Sequence, residues 1–177
     1  MQSLLVGPAA ERAKPRCHPD RTPGCKNRAG VCQFPGESNC PHSKVCKVLL
    51  WSDSNTRDFA QRVREEFTAR TGLTPHLVVN LLHRSKLDGN RGLEDAAQGS
   101  PGAELAYRHF HGAIERAKAS LAGKVGLVLD FHGQRHGQNS TELGYLYSKS
   151  QLNTGSLETF GRISSISSLL DRTGLSP

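Results

Sequence analysis

The sequence predicts an α/β fold with a mostly parallel sheet flanked by helices, and two observations lead to this prediction. Three short runs rich in Val and Leu, typical of buried parallel strands, occupy residues 45–51, 76–82 and 125–129. Helical patterns and one long polar loop separate these runs. The resulting order of strand, helix, strand, loop, helix and strand calls for right-handed crossover connections between parallel strands.

The first predicted helix covers about residues 57–70. Phe59, Val63 and Phe67 recur at helical spacing and form an apolar stripe that can cover one face of a sheet. Residues 54–56 offer N-caps, and Gly72 is the usual type of residue just beyond a helix end. The second strand then begins after Pro75.

A polar loop over residues 84–99 has no secondary-structure period, and such long loops are usually functional or disordered. Ser100 and Pro101 begin the second predicted helix, with proline at its first position, and Gly123 closes it. Beyond residue 132, alternation around Tyr145 predicts a short strand, and apolar spacing over residues 160–170 predicts a last helix.

Residues 1–44 are rich in proline and basic residues, and for them we predict a loop or disordered extension. The α/β domain would then span residues 45–177. The chain has 23 Lys and Arg against 16 Asp and Glu, a formal charge of +7. Eight of these basic residues and only three of the acids lie in residues 1–47. With Phe34 as the one aromatic residue there, nucleic-acid binding is not favoured.

The five cysteines all lie in the first 46 residues: Cys17, Cys25, Cys32, Cys40 and Cys46. Their odd number and irregular spacing match neither a complete disulfide framework nor a paired Cys-x-x-Cys zinc site. A small zinc knot helped by a nearby histidine stays open as an alternative. We favour free thiols.

No apolar run approaches the length of a membrane span. Residues 1–10 lack the charged start and the full apolar stretch of a secretory signal. We therefore expect a cytoplasmic protein without membrane contact. The sequence does not determine its oligomeric state.

Polar clusters follow each of the three apolar runs. The clusters begin near Asp53, Arg84 and Asp130. Ligands of open α/β sheets bind beyond the carboxyl ends of parallel strands, so we expect these clusters to meet at one edge of the sheet.

The segment Asp130-Phe131-His132-Gly133 is the sharpest of the candidate sites. A carboxylate two residues before a histidine can hold its ring and support metal binding, and Asp53 could be a second ligand. The alternatives are a solvated turn for His132 and an N-cap for Asp53. Spacing alone leaves the metal and turn interpretations of His132 open.

Arg84, Asn90 and Arg91 could hold a substrate carboxylate, because Arg provides a bidentate fork and Asn a further donor. The alternative is a charged surface loop. For His109 and His111 on the second helix, solvent-facing or core-edge positions are favoured over ligand roles.

Several ordered motifs over roughly residues 50–150 together resemble the N-formylglutamate amidohydrolase-like family, which is related in fold to zinc carboxypeptidases and aspartoacylase-type deacylases. These motifs are Ser52-Asp53-Ser54-Asn55-Thr56-Arg57, residues 83–91, Tyr107-Arg108-His109-Phe110-His111, Asp130-Phe131-His132-Gly133 and Glu142-Leu143-Gly144-Tyr145. The resemblance implies a three-layer α/β sandwich and zinc-assisted hydrolysis of an N-acyl amide on a small carboxylate-bearing substrate.

By the same resemblance, His132 is a zinc ligand, with Asp53 as a second one. Asn90 and Arg91 match the pair that holds the substrate carboxylate. Arg84 is a second clamp or stabilises the oxyanion.

The chain departs from the family pattern in two ways. It lacks the upstream His-Gly turn that supplies the first metal histidine, because His18 is followed by Pro19 and His42 by Ser43. It also stops at Pro177, where these enzymes usually continue with further sheet. We therefore expect a chain truncated at both ends, with one zinc ligand missing, and a catalytically inactive binding domain is the alternative function.

Overall fold

The chain divides into two compact units, residues 1–134 and residues 135–177, a division that differs from the predicted boundary after residue 44. The computed structural model describes the backbone of residues 2–7, and residues 19–34, 45–124, 126–133, 141–144, 150 and 153. The predicted helix over residues 160–170, like Tyr145 in the predicted short strand, lies outside the described residues.

The described elements combine helices with two small sheets. In chain order they are β1 (Gln2–Gly7), β2 (Gly24–Lys26), β3 (Cys32–Gln33), β4 (Val45–Cys46), α1 (Thr56–Thr71), β5 (His76–Val79), α2 (Leu93–Ala97), α3 (Pro101–Ser120) and β6 (Gly126–Asp130). They form a mixed α/β fold, as predicted.

One sheet has the strand order β5-β1-β6, and both pairs are parallel. Leu5 of β1 lies opposite Leu77 of β5 and Leu129 of β6. Helices α1 and α3 both contact β1 and β5. The strands therefore end along a common edge, where Val79 pairs with Gly7 and Asp130 with Val6.

The loop or disorder that we predicted for residues 1–44 is wrong for three segments, because β1, β2 and β3 lie there. β1 is even the central strand of the parallel sheet. None of the six prolines in residues 1–44 lies within one of these strands. A high proline content therefore did not exclude short strands.

The prediction of a first parallel strand over residues 45–51 is also wrong. Only Val45–Cys46 forms a strand, and it pairs antiparallel with β2 in a second sheet of order β3-β2-β4. Leu49 and Trp51, at 50% and 69% exposure, are not core residues. The apolar run did not identify its pairing partner, since strand pairing depends on residues far away in the chain.

Disulfides hold the second sheet, which corrects our expectation of free thiols. Cys32 of β3 is bonded to Cys46 of β4, and Cys25 of β2 is disulfide-bonded as well. The three residues lie in neighbouring strands, a proximity that their irregular spacing in the sequence did not reveal.

The long helices lie close to their predicted positions. α1 begins one residue early and ends at Thr71, where the N–H of Gly72, in the left-handed region at φ 71°, donates to the carbonyl of Thr68. α3 begins at Pro101 as predicted and ends at Ser120. No helix in the described part of the chain is both long and apolar enough to cross a membrane.

The polar loop over residues 84–99 is more ordered than predicted, because it contains α2 and part of the core. Leu87 is completely buried and packs with Ala96, Ala97 and Ala103. Ser85, Lys86 and Asp88 are buried beside it. The loop thus brings polar side chains into the interior next to the edge of the parallel sheet.

Candidate functional site

A pocket of about 120 Å³ lies at the edge where the parallel strands end. Asn80 directly follows β5, and Asp130 is the last residue of β6. The polar residues that line the pocket are Asn80, Arg84, Asp88, Asn90, His111, Asp130 and His132. The convergence that we expected at the carboxyl edge is therefore present for Arg84, Asn90 and His132.

The imidazole ring of His132 lies between two carboxylates. Its Nδ1 atom is 3.2 Å from Oδ2 of Asp53, and its Nε2 atom is 3.0 Å from Oδ2 of Asp130. Asp53 is largely buried, with 14% of its side chain exposed, whereas Asp130 is 53% exposed. The predicted support of the ring by Asp130 is thus present.

The two carboxylates favour the protonated ring. The hydrogen bond to Asp130 is the largest cause that raises the pKa of His132, and the charges of Asp130 and Asp53 add to it, while burial acts in the opposite direction. Only the imidazolium form has two N–H donors, so only this form satisfies both carboxylates at once.

Asp53 reaches the ring from the irregular segment before α1. Asn55, not Asp53, is the N-cap of α1, so the capping alternative is not what the structure shows. Gly133 makes the approach possible, because a Cβ atom built there would lie 3.1 Å from the Cβ of Asp53. A larger residue after His132 would push against the carboxylate.

Arg84 is paired with carboxylates of the protein itself. Its Nε atom is 3.4 Å from Oδ1 of Asp88, and its Nη1 atom is 3.8 Å from Oδ1 of Asp53. Nη1 also donates to the carbonyl of Trp51, and the N–H of Arg84 donates to Oγ of Ser52. Arg84 thereby joins the segment that carries Asp53 to the pocket wall.

The predicted Asn90 and Arg91 pair is split. Asn90 lines the pocket, and its N–H donates to Oδ1 of Asp88. Arg91 does not line it; its side chain is 48% exposed, and its Nε atom is 4.0 Å from Oδ2 of Asp88. Of the three predicted carboxylate-binding residues, Arg84 and Asn90 line the pocket and Arg91 does not.

Sequence reasoning missed Arg21 and Asp88, the two most buried charged residues near the pocket. Their side chains are each 2% exposed, and Nη1 of Arg21 lies 3.5 Å from Oδ2 of Asp88. No local signal marked Arg21, which stood among other basic residues of the N-terminal segment. His111, which we did not favour as a ligand, lies within 3.1 Å of the carbonyl of Gly89 and lines the pocket.

Glu142 belongs to the second unit, residues 135–177. It is an exposed residue in a described segment, 141–144, that has no regular secondary structure. Its role as a general base stays a prediction.

The pair formed by His132 and Asp53 matches the donor chemistry of zinc. Tetrahedral zinc, with bonds of about 2.0–2.2 Å, holds two ligand atoms about 3.4 Å apart. The 3.2 Å between Nδ1 of His132 and Oδ2 of Asp53 is close to that spacing. Among the described residues, no group of three His, Cys, Asp or Glu side chains is arranged to hold a metal. Two such donors are fewer than the three or more ligands that zinc usually takes, so zinc binding here stays a prediction.

Comparisons of the chain with protein-family models, with curated proteins and with solved structures found no match. The family resemblance therefore rests on the sequence motifs alone and stays a prediction.

Proposed function

We propose that the protein is a zinc-dependent amidohydrolase that cleaves an N-acyl amide on a small carboxylate-bearing substrate. The observation that carries the proposal is the common pocket of Arg84, Asn90 and His132, which come from two motifs, residues 83–91 and 130–133. A three-layer sandwich like that of zinc carboxypeptidases belongs to the same proposal. The parallel sheet contacted by α1 and α3 supports it.

The pocket offers a carboxylate two kinds of partner. Arg84 contributes a guanidinium group, and Asn90 contributes a neutral amide beside it. Because the Arg84 side chain is only 14% exposed, an ion pair with a ligand would be partly shielded from water, which strengthens it. The volume of about 120 Å³ favours a small molecule over a polymer.

In this proposal His132 and Asp53 would hold zinc, which when bound activates water at neutral pH. Asp130 keeps the imidazole ring in place from its other side, as the partners of metal-binding histidines commonly do. Arg84 has one of two roles in this proposal: it holds the substrate carboxylate, or it donates hydrogen bonds to the oxygen on which negative charge develops during attack on the amide. Glu142 is proposed to accept the proton of the attacking water.

Zinc content and hydrolysis of N-formyl-L-glutamate test the proposal together. Wild-type protein is dialysed against zinc, freed of excess metal, and assayed for both quantities before and after treatment with a chelator. We expect His132→Ala to lose zinc and turnover. His109→Ala, on the exposed side of α3, is the matched control and should retain both. Retention of zinc stoichiometry and turnover by His132→Ala would rule the proposal out.

A second candidate function is a catalytically silent domain that binds a small carboxylate. One observation favours it: both ring nitrogens of His132 already have carboxylate partners. It predicts substoichiometric zinc and no hydrolysis, but binding of N-acetyl-L-glutamate that Arg84→Ala abolishes and Arg108→Ala leaves intact. Stoichiometric zinc uptake with turnover decides against it.

A further inference from the structure

We infer that Arg21 is a positioning residue that orders the pocket loop, residues 84–91, by holding the buried carboxylate of Asp88. Arg21 lines no part of the pocket itself. Its effect on ligand affinity rests on the proposed function, whereas its effect on the order of the loop does not.

The guanidinium group of Arg21 is buried and uses all three of its nitrogen atoms. Nε donates to the carbonyl of Asp95 at 3.0 Å, and Nη2 donates to Oδ1 of the same residue at 3.1 Å. Nη1 donates to the carbonyls of Arg84 at 3.1 Å and Leu49 at 3.2 Å, and lies 3.5 Å from Oδ2 of Asp88. One side chain thus joins the segment before α1, the pocket loop and α2.

Further contacts join Arg21 and its neighbours to the pocket loop and to the end of α2. The N–H of Arg21 donates to the carbonyl of Ser85 at 2.6 Å. Thr22 and Gln98 exchange two hydrogen bonds, each 2.8 Å long. Lys86 forms an ion pair with Asp20 at 3.1 Å. These contacts hold the backbone beside Arg21 in place, with its guanidinium group next to Asp88.

Asp88 connects Arg21 to two residues that line the pocket, Arg84 and Asn90. Its Oδ1 atom accepts the N–H of Asn90 at 3.1 Å and lies 3.4 Å from Nε of Arg84. A buried carboxylate requires compensating charge. Without Arg21, the guanidinium group of Arg84 would be drawn towards Asp88 and away from the cavity.

The geometry requires arginine at this position. Arginine presents five donors in a rigid planar fork, which matches partners that surround it on several sides. Lysine would keep the positive charge but present one compact group, and it could not reach Asp88 and Asp95 simultaneously. Arg21→Lys therefore keeps the positive charge and removes the planar fork that contacts Asp88 and Asp95 together.

Amide hydrogen exchange of the full chain, without metal or ligand, tests the inference. We expect the Asn90 amide in Arg21→Lys to exchange about tenfold faster than in the wild type, the effect of losing one charge-assisted hydrogen bond. Arg64→Lys is the matched control, because Arg64 donates to the carbonyl of Pro75 near the end of α1. It should leave the Asn90 exchange rate unchanged. Equal rates in wild type and a folded Arg21→Lys overturn the inference.

A milder variant decides the question if Arg21→Lys does not fold. Asp95→Ala removes the hydrogen bond and ion pair between Nη2 of Arg21 and Oδ1 of Asp95. Because 34% of the Asp95 side chain is exposed, we expect the fold to tolerate this substitution. Exchange at Asn90 should rise about threefold, the effect of one lost hydrogen bond. An unchanged rate in this variant overturns the inference.

The affinity for N-acetyl-L-glutamate, measured in the same variants, separates this inference from the proposed function. Faster exchange at Asn90 with weaker ligand binding supports both. If exchange at Asn90 is faster in Arg21→Lys but the wild-type protein itself binds no ligand, the role of Arg21 stands and the proposed carboxylate pocket is contradicted.

Discussion

Asp53 and His132 are 79 positions apart in the chain, yet Oδ2 of Asp53 lies 3.2 Å from Nδ1 of His132. Asp130 occupies the other ring nitrogen at 3.0 Å. The imidazole is therefore oriented from two sides, by Asp130 at the end of β6 and by Asp53 in the segment before α1. This arrangement has consequences for titration and for mutation at the neighbouring glycine.

The titration of His132 should reflect both carboxylates. Because its pKa is raised, the stabilisation is complete below the ordinary histidine pKa, about 6.5, and is lost as pH rises through the folded-state value. NMR titration of the ring should show the pKa falling in Asp130→Asn and, less strongly, in Asp53→Asn, because the Asp130 hydrogen bond is the largest cause. Asp58→Asn, in the first turn of α1, serves as the control. A wild-type pKa at or below the ordinary value would contradict the arrangement.

Gly133→Ala should displace Asp53 from the ring. The added Cβ would lie 3.1 Å from the Cβ of Asp53, closer than ordinary packing allows. We expect a loss of about 1–3 kcal/mol in the free energy of unfolding, measured with urea, and a lower pKa of His132. Gly144→Ala is the control, since no described atom lies within 4 Å of its built Cβ. Equal stability of the two variants would show that Asp53 moves freely.

Removal of the Cys32–Cys46 disulfide should destabilise the first unit. The bond joins residues 14 positions apart, and closing a loop of this size stabilises a protein by about 3 kcal/mol. Under non-reducing conditions, Cys32→Ser/Cys46→Ser should unfold at lower urea than the wild type. Val45→Ser, at an exposed neighbouring position, should have a small effect. An unchanged urea midpoint in the double variant would argue against the bond.

Leu87→Ala tests whether the pocket loop is part of the core. Leu87 is fully buried between the alanines of α2 and α3, so its truncation should cost about 2–5 kcal/mol of unfolding free energy. Leu105→Ala, at a residue 56% exposed, should change stability by about 0.5 kcal/mol or less. Similar urea midpoints for the two variants would be inconsistent with an ordered loop.

Local patterns were sufficient for the elements whose signals lie within a few residues. The apolar stripe and Gly72 predicted α1 to within one residue at each end, and Pro101 predicted the start of α3. The apolar runs over residues 76–82 and 125–129 predicted β5 and β6, although β5 ends at Val79 and β6 at Asp130. Because parallel strands end at one edge of a sheet, these runs also predicted that Asn90 and His132 would lie near each other.

The pairing of distant segments was decided only by the tertiary structure. The short run in β1 became the central strand, while the longer run after residue 44 contributed only two residues to a separate sheet. Arg21 became a buried ion-pair partner although its neighbours in the sequence are basic and polar. Strand pairing, disulfide geometry and ion pairing depend on residues brought together from far apart, whereas periodicity and capping are properties of one short stretch. The sequence by itself therefore determined where α1, α3 and the strands β5 and β6 lie, and the three-dimensional contacts determined which charged groups surround His132.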